Sequence, residues 1–235
     1  MSTFEPVLKQ DLGELVYQRI KLALMQSRLK PNDKLVIRKL SEDLNLSMTP
    51  IREALLRLVS ENVLVLDSRS TAMVPELDYE TFVAIYDLRA DLESKAAVQA
   101  MAHVTDEEIA TLDDIHSRLA QAQKDEELEK ARELNAVFHE TYCSYSRSPI
   151  LISFISTLWM RCGPLMAHIH RNGPQKWEND VHPHTTLIAG LRSKDEEKVR
   201  RAVRYDILHG GKELLAYVQE NAQNEVRKPV LETLV

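Results

Sequence analysis

The sequence predicts a mainly α-helical protein, with a winged helix-turn-helix first and an antiparallel bundle of about six helices behind it. Three observations carry that prediction. Glycine is scarce, 6 of 235 residues, and apolar side chains recur at helical spacing over most of the chain. Two short runs read as strands, VLVL at 63–66 and AMV at 72–74, on either side of a polar tip DSRST. Charge is also divided: residues 1–74 hold 11 Lys and Arg against 9 Asp and Glu, the remainder 19 against 27, within a total of −6. A slightly basic head can approach phosphate that an acidic body would repel. The boundaries read as 1–75 for the head, 76–225 for the body and 226–235 for a loosely ordered tail.

Each element has a local reason. Leu12, Leu15, Val16, Ile20 and Leu24 form a helical stripe over residues 8–27, which LKPND ends at Pro31. A short helix follows over 37–44. After Asn45 and Leu46, either Ser47 or Thr49 serves as cap for a second helix, with Pro50 tolerated in its first turn. The hairpin comes next. Beyond Pro75, Asp78 begins a helix to about 102, and Thr105 with Glu108 makes a capping box for one to about 122. Further helices read as 125–146, then Pro149 to about Arg171 with a kink at Gly163-Pro164, then 180–192 and 194–222, the last capped by Ser193. RNGPQKWEND reads as a loop or a helix start at Trp177.

No targeting segment is evident, and PILISFISTLWM reads as too short and too polar to span a bilayer. Two cysteines, Cys143 and Cys162, without metal-type spacing fit a reducing cytoplasm.

In a helix-turn-helix the second helix lies in the major groove, with its first turn at the bases and phosphates. Ser47 and Thr49 stand at that start, and Arg52 lies opposite the Leu55/Leu58 stripe, facing the groove. Arg38 begins the preceding helix, and Arg69 sits at the hairpin tip; Arg57 and Lys39 read as backbone contacts or none. LKPNDKLVIRKLSEDLNLSMTPIREALLRLVSENVLVL resembles the winged-helix domain of the GntR family of bacterial transcription regulators, above all in TPIREAL. The resemblance implies DNA contacts by Arg38, Thr49 and Arg52. The chain departs from the pattern at Asn32 and Asn62 and near Thr71, where relatives usually have Gly, and at Met48, where they often have Arg.

In the body, Asn135, His139 and Tyr142 share one helix face, while His184 and Asp206 each lie on an apolar stripe. A buried Asp is costly unless paired or bound to metal, so these groups are expected to meet in the bundle core. The segments DLRADLESKAAVQA, NAVFH and HTTLIAGLRSKDEEKVRRAV resemble the effector-binding (FCD) domain of the FadR-type branch of that family, whose members are dimers that bind an organic acid, many of them also holding a divalent metal. The resemblance implies a ligand set of Asn135, His139, His184 and Asp206, with Asn and Asp standing where Asp and His are usual. Such a set suits Zn, Mn, Fe or Ni. A metal-free network, with both histidines bonded to Asp206 or to an effector carboxylate, remains open. His209 is a fallback ligand, and His182 is another, although its place beside Pro183 reads as a loop; His168 and His170 read as surface or capping residues. Arg89 matches an effector-lining position, or else forms a salt bridge with Glu93; Tyr142 and Arg161 are further effector candidates.

The expected protein is a cytoplasmic, non-enzymatic, ligand-responsive regulator that binds a palindromic operator on double-stranded DNA as a homodimer, with a small carboxylate effector and no membrane partner. The alternatives are a metal sensor, in which the ion is the signal, and a metal-dependent hydrolase fused to a DNA-binding head. No Gly-rich phosphate loop, nucleophile elbow or His-Glu-x-x-His motif is present.

Overall fold

The computed structural model describes residues 12–168 and 177–227. The chain opens with α1 (Leu12–Met25), which buries Val16, Ile20 and Leu24 as its spacing requires. The two-residue strand β1 (Lys34–Leu35) leads into α2 (Ile37–Leu44) and α3 (Met48–Ser60). Asn45 ends α2 in the left-handed region at φ 51°, and its N–H bonds back to Glu42 and Ser41. Asn32 and Asn62 are also left-handed, at φ 71° and 55°. Asparagine is the residue after glycine that best tolerates this conformation, which accounts for its standing where relatives have Gly.

The hairpin forms as β2 (Val65–Leu66) and β3 (Ala72–Met73), shorter than the sequence runs suggested. The wing also gains a third strand that was not expected: β3 lies between β1 and β2, antiparallel to both, with Leu35 and Leu66 opposite Ala72. At its tip Asp67 accepts from the backbone N–H groups of Arg69 and Thr71 and from Lys34 Nζ.

The body contains α4 (Tyr79–Ala100), α5 (Asp106–Lys124), α6 (Leu128–Ser144), α7 (Pro149–Cys162), α8 (Pro183–Ser193), α9 (Glu196–Gly210) and α10 (Lys212–Arg227). Asp78 caps α4, and the Thr105/Glu108 capping box forms. Three expectations need correction. The α-helix beginning at Pro149 ends at Cys162 and continues as a 3₁₀ segment, Gly163–His168; Arg171 lies outside the described residues. Ser193 does not cap the next helix. Lys194 turns left-handed after α8, Ser193 bonds back to Ala189, and Asp195 caps α9 through Lys198 N–H. The run 194–222 is two helices, broken at Gly211, where a side chain would collide with the Tyr86 ring.

The stretch expected to be too short for a membrane reaches 20 residues with its 3₁₀ continuation, and at mean hydropathy 1.4 it passes on length and composition; half of it is buried inside the protein. The 3₁₀ segment also joins body to head. Ser27 Oγ donates to Gly163 O at 2.6 Å, and a Cβ on Gly163 would stand 2.9 Å from Met25 Cα. Lys21 pairs with Glu140 and Arg28 with Glu133 across the same joint.

Candidate functional site

The head presents its expected DNA residues outward. Ser47, Thr49, Arg52 and Arg69 are exposed, and Arg38 pairs with Glu42, one turn along its own helix. Ser47 is the N-cap of α3, but its hydroxyl makes no capping bond, and the first turn carries no acidic residue. The open N–H groups of that turn form a seat for an anion. Arg57 is committed elsewhere: it bonds Glu61 and Glu14 and lies 3.7 Å over the Tyr17 ring. Met48 is exposed, adding apolar surface but no charge where relatives often place an arginine.

In the body, α6, α8 and α9 bring His139, His184 and Asp206 together. Asp206 Oδ2 lies 3.1 Å from His139 Nε2 and 3.3 Å from His184 Nε2, the latter outside hydrogen-bond geometry. Around a tetrahedral ion with bonds of about 2.0–2.1 Å, neighbouring ligand atoms stand roughly 3.3–3.4 Å apart, so these residues fit a divalent cation. The orphaned nitrogens of His184 fit one too. Behind His139, Glu93 Oε2 lies 2.8 Å from Nδ1, the carboxylate–histidine arrangement that orients an imidazole toward a metal. Asn135 lines the adjoining cavity one turn before His139.

Glu93 also accepts from Tyr142 OH at 2.7 Å and from Arg89 Nε at 2.7 Å. Arg89 is thus in the salt bridge and also on the cavity wall, with its guanidinium 3.8 Å over the Trp159 ring. Arg89, Glu93, His139 and Asp206 thus form a run of alternating basic and acidic groups through the core. Burial pushes Glu93 up, but Arg89, His139 and Tyr142 outweigh it and hold the carboxyl at about 2. Burial likewise opposes charge on His139, yet Asp206 and Glu93 raise it; Asp206 is held well below the usual range by His184 and His139 against its own burial. His184 has its pKa lowered by burial, and it stacks on Phe138 at 3.7 Å.

The cavity measures about 60 Å³ and is lined by Arg89, Arg132, Asn135, His139, Trp159, Trp177, His182 and Asp206 among others. Tyr142 stands behind the wall on Glu93, and Arg161 is not among the lining residues. Sequence reasoning missed Arg132 and Trp159, both on the wall with buried donors, Nε and Nε1, that find no partner among the described residues. The signal for Arg132 was present: it lies three residues before Asn135 and seven before His139, on the same helical face. His182, expected in a loop, is the N-cap of α8, its Nδ1 accepting from His184 N–H at 3.2 Å. His209 stacks on Tyr205, away from the cluster, and His168 stacks on Tyr217; His170 lies outside the described residues.

Residues 12–74 match the gntR family of bacterial regulatory proteins, and residues 84–209 match the FCD domain. The HTH-type transcriptional regulator McbR of Escherichia coli (strain K12) is 32% identical over 185 residues, 78% of this chain and 84% of McbR. The solved structure of E. coli McbR/YncC matches with a TM-score of 0.79 at 30% identity, covering 90% of this chain and 98% of that one. A putative transcriptional regulator GntR from Rhodococcus sp. RHA1 has the same fold, with a TM-score of 0.64 at 14% identity over 92% of this chain and 98% of that one. A DNA-reading head joined to an effector-binding bundle is how such regulators are built, and this chain belongs to the GntR family, in its FadR-type branch with an FCD domain, as a regulator and not an enzyme.

Proposed function

We propose that the chain binds a palindromic operator as a homodimer, and that a short carboxylate in the bundle cavity, beside a divalent cation, changes its operator affinity. The observation that carries this reading is the cavity wall: Arg132 Nε and Trp159 Nε1 are buried donors without partners among the described residues, next to the converging His139, His184 and Asp206. A buried donor left unmade is costly, and an acid oxygen satisfies it. By volume the cavity has room for about four or five waters, which suits an ion with water or an acid of a few carbons. Asn135, His139, His184 and Asp206 would hold the ion, which would supply a fixed positive charge for the acid. On the DNA side, Arg38, Thr49 and Arg52 read the groove, with Ser47 and Arg69 on phosphate.

The coupling runs through α7. It carries Trp159 on the cavity wall and leads directly into Gly163, which presses on α1 of the head. A ligand that shifts Trp159 thereby biases the angle of the head.

The test is fluorescence anisotropy on genomic fragments against random DNA over a salt series, with and without a panel of two- to four-carbon acids. Preferential binding that weakens steeply with salt, and that one acid shifts by at least about fivefold, is expected. No preference over random DNA at any salt sinks the reading of the head; no response to any acid in the panel sinks that of the cavity. A response to chelator and added Zn²⁺ alone favours the metal sensor, which the spacing of His139, His184 and Asp206 also supports.

A further inference from the structure

Beside the set just described lies a second convergence of imidazoles, outside the ligand pattern. His116 from α5 meets His182 and His184 at the start of α8, with one ring nitrogen of each within 4.8 Å of the others. The ring centroids stand 4.3 Å apart for His182 and His184, 4.9 Å for His116 and His182, and 5.4 Å for His116 and His184. His184 is fully buried, and His116 Nδ1 is sealed from solvent without a partner. Leaving the buried nitrogens of His184 and His116 Nδ1 unmet beside half-buried His182 is unfavourable, and a metal ion satisfies one nitrogen of each ring at once.

We propose that His116, His182 and His184 form a second cation site, selective for a borderline d-block ion such as Zn²⁺, Ni²⁺ or Cu²⁺. Three neutral nitrogens and no oxygen suit these ions and disfavour Mg²⁺ and Ca²⁺, which take oxygen. His184 belongs to both sets and therefore ties the two sites together. His182 gives up its cap bond to His184 N–H to serve as ligand, so filling the site also loosens the first turn of α8. From a spacing within 4.8 Å the nitrogens draw in toward roughly 3.3–3.4 Å around an ion, and the half-buried His116 and His182 have room to rotate.

The experiment uses the full chain titrated with Cu²⁺ and read by electron paramagnetic resonance, with Zn²⁺ affinity measured in parallel by competition with a chromophoric chelator. The proposed site gives nitrogen splitting from three imidazoles, and His116→Gln reduces it to two. The Asn135/His139/His184/Asp206 set offers only two imidazoles. In Asp206→Asn, Zn²⁺ still binds, and adding His116→Gln weakens it at least tenfold. A two-imidazole signal that His116→Gln leaves unchanged overturns the second site while leaving the first intact. Absence of binding in the wild-type chain overturns both. Should Asp206→Asn fail to fold, wild type against His116→Gln decides alone, since half-buried His116 is the milder change.

Discussion

At the scale of the residue, Glu93 sets the terms for the bundle core. It is fully buried and takes a hydrogen bond from Arg89 while facing His139 and Tyr142. Glu93→Gln leaves Arg89 buried without its counter-charge, and a loss of about 3–5 kcal/mol in urea unfolding is expected. Histidine fixes the pH response. Burial lowers His116 to about 4 and His182 to about 2, and lowers His184 as well. A lowered histidine contributes stability that is complete above 6.5, the ordinary value, and declines as pH falls toward the folded value. His139, raised, works the other way: its contribution is present below 6.5 and is lost as pH rises through the folded value. Below 6.5 the three lowered histidines dominate, because His139 is then protonated in both states, and the metal-free chain loses stability as pH falls from 6.5 to 5. The slope becomes shallower in His116→Gln, read as the urea midpoint at each pH. In the head, Arg52→Ala is expected to weaken operator binding by about 1–3 kcal/mol and to relax preference at one base position, measured by anisotropy on substituted sites. Inward polar groups such as His139, His184 and Asp206 were legible because helical spacing alone turns them to the core. His116 and Trp177 were not, because only the packing of distant helices brings them to the same place.

At the scale of the element, sequence marked starts and stops wherever the signal is local. Asp78 and the Thr105/Glu108 pair cap as their residue types demand. β1 escaped because two residues show no alternation, and their pairing with β3 is made across nearly forty positions of chain. Ser193 was the expected cap; the left-handed Lys194 that follows it takes the chain out of α8, so the next residue, Asp195, caps α9 instead. The Gly163 junction was legible only as a kink. Its role as a joint depends on α1, which no local pattern links to it. Gly163→Ala forces Leu24 and Met25 away from the 3₁₀ segment, and a loss of roughly 1–3 kcal/mol is expected from overpacking. The same variant should bind operator with a blunted response to effector, which separates a broken joint from a merely weaker fold.

At the scale of the whole molecule, the surplus acid and the DNA surface belong to different parts of one continuous core, whose buried residues run from Val16 in the head to Val218 in the last helix. An acidic chain therefore reads DNA without contradiction, and its head shares a packed core with its body. The wall of the cavity has an optical consequence. The chain has two tryptophans, Trp159 and Trp177, and both stand on that wall, one beneath Arg89 and the other against His182. None lies in the head, so the entire tryptophan emission of the protein originates where the effector is proposed to sit. Titrating Zn²⁺ or a short acid should change that emission with no label attached. Adding an operator fragment should change it only so far as the distant joint transmits, so that one spectrum, recorded with DNA present and absent, measures the conversation between the two ends of the chain.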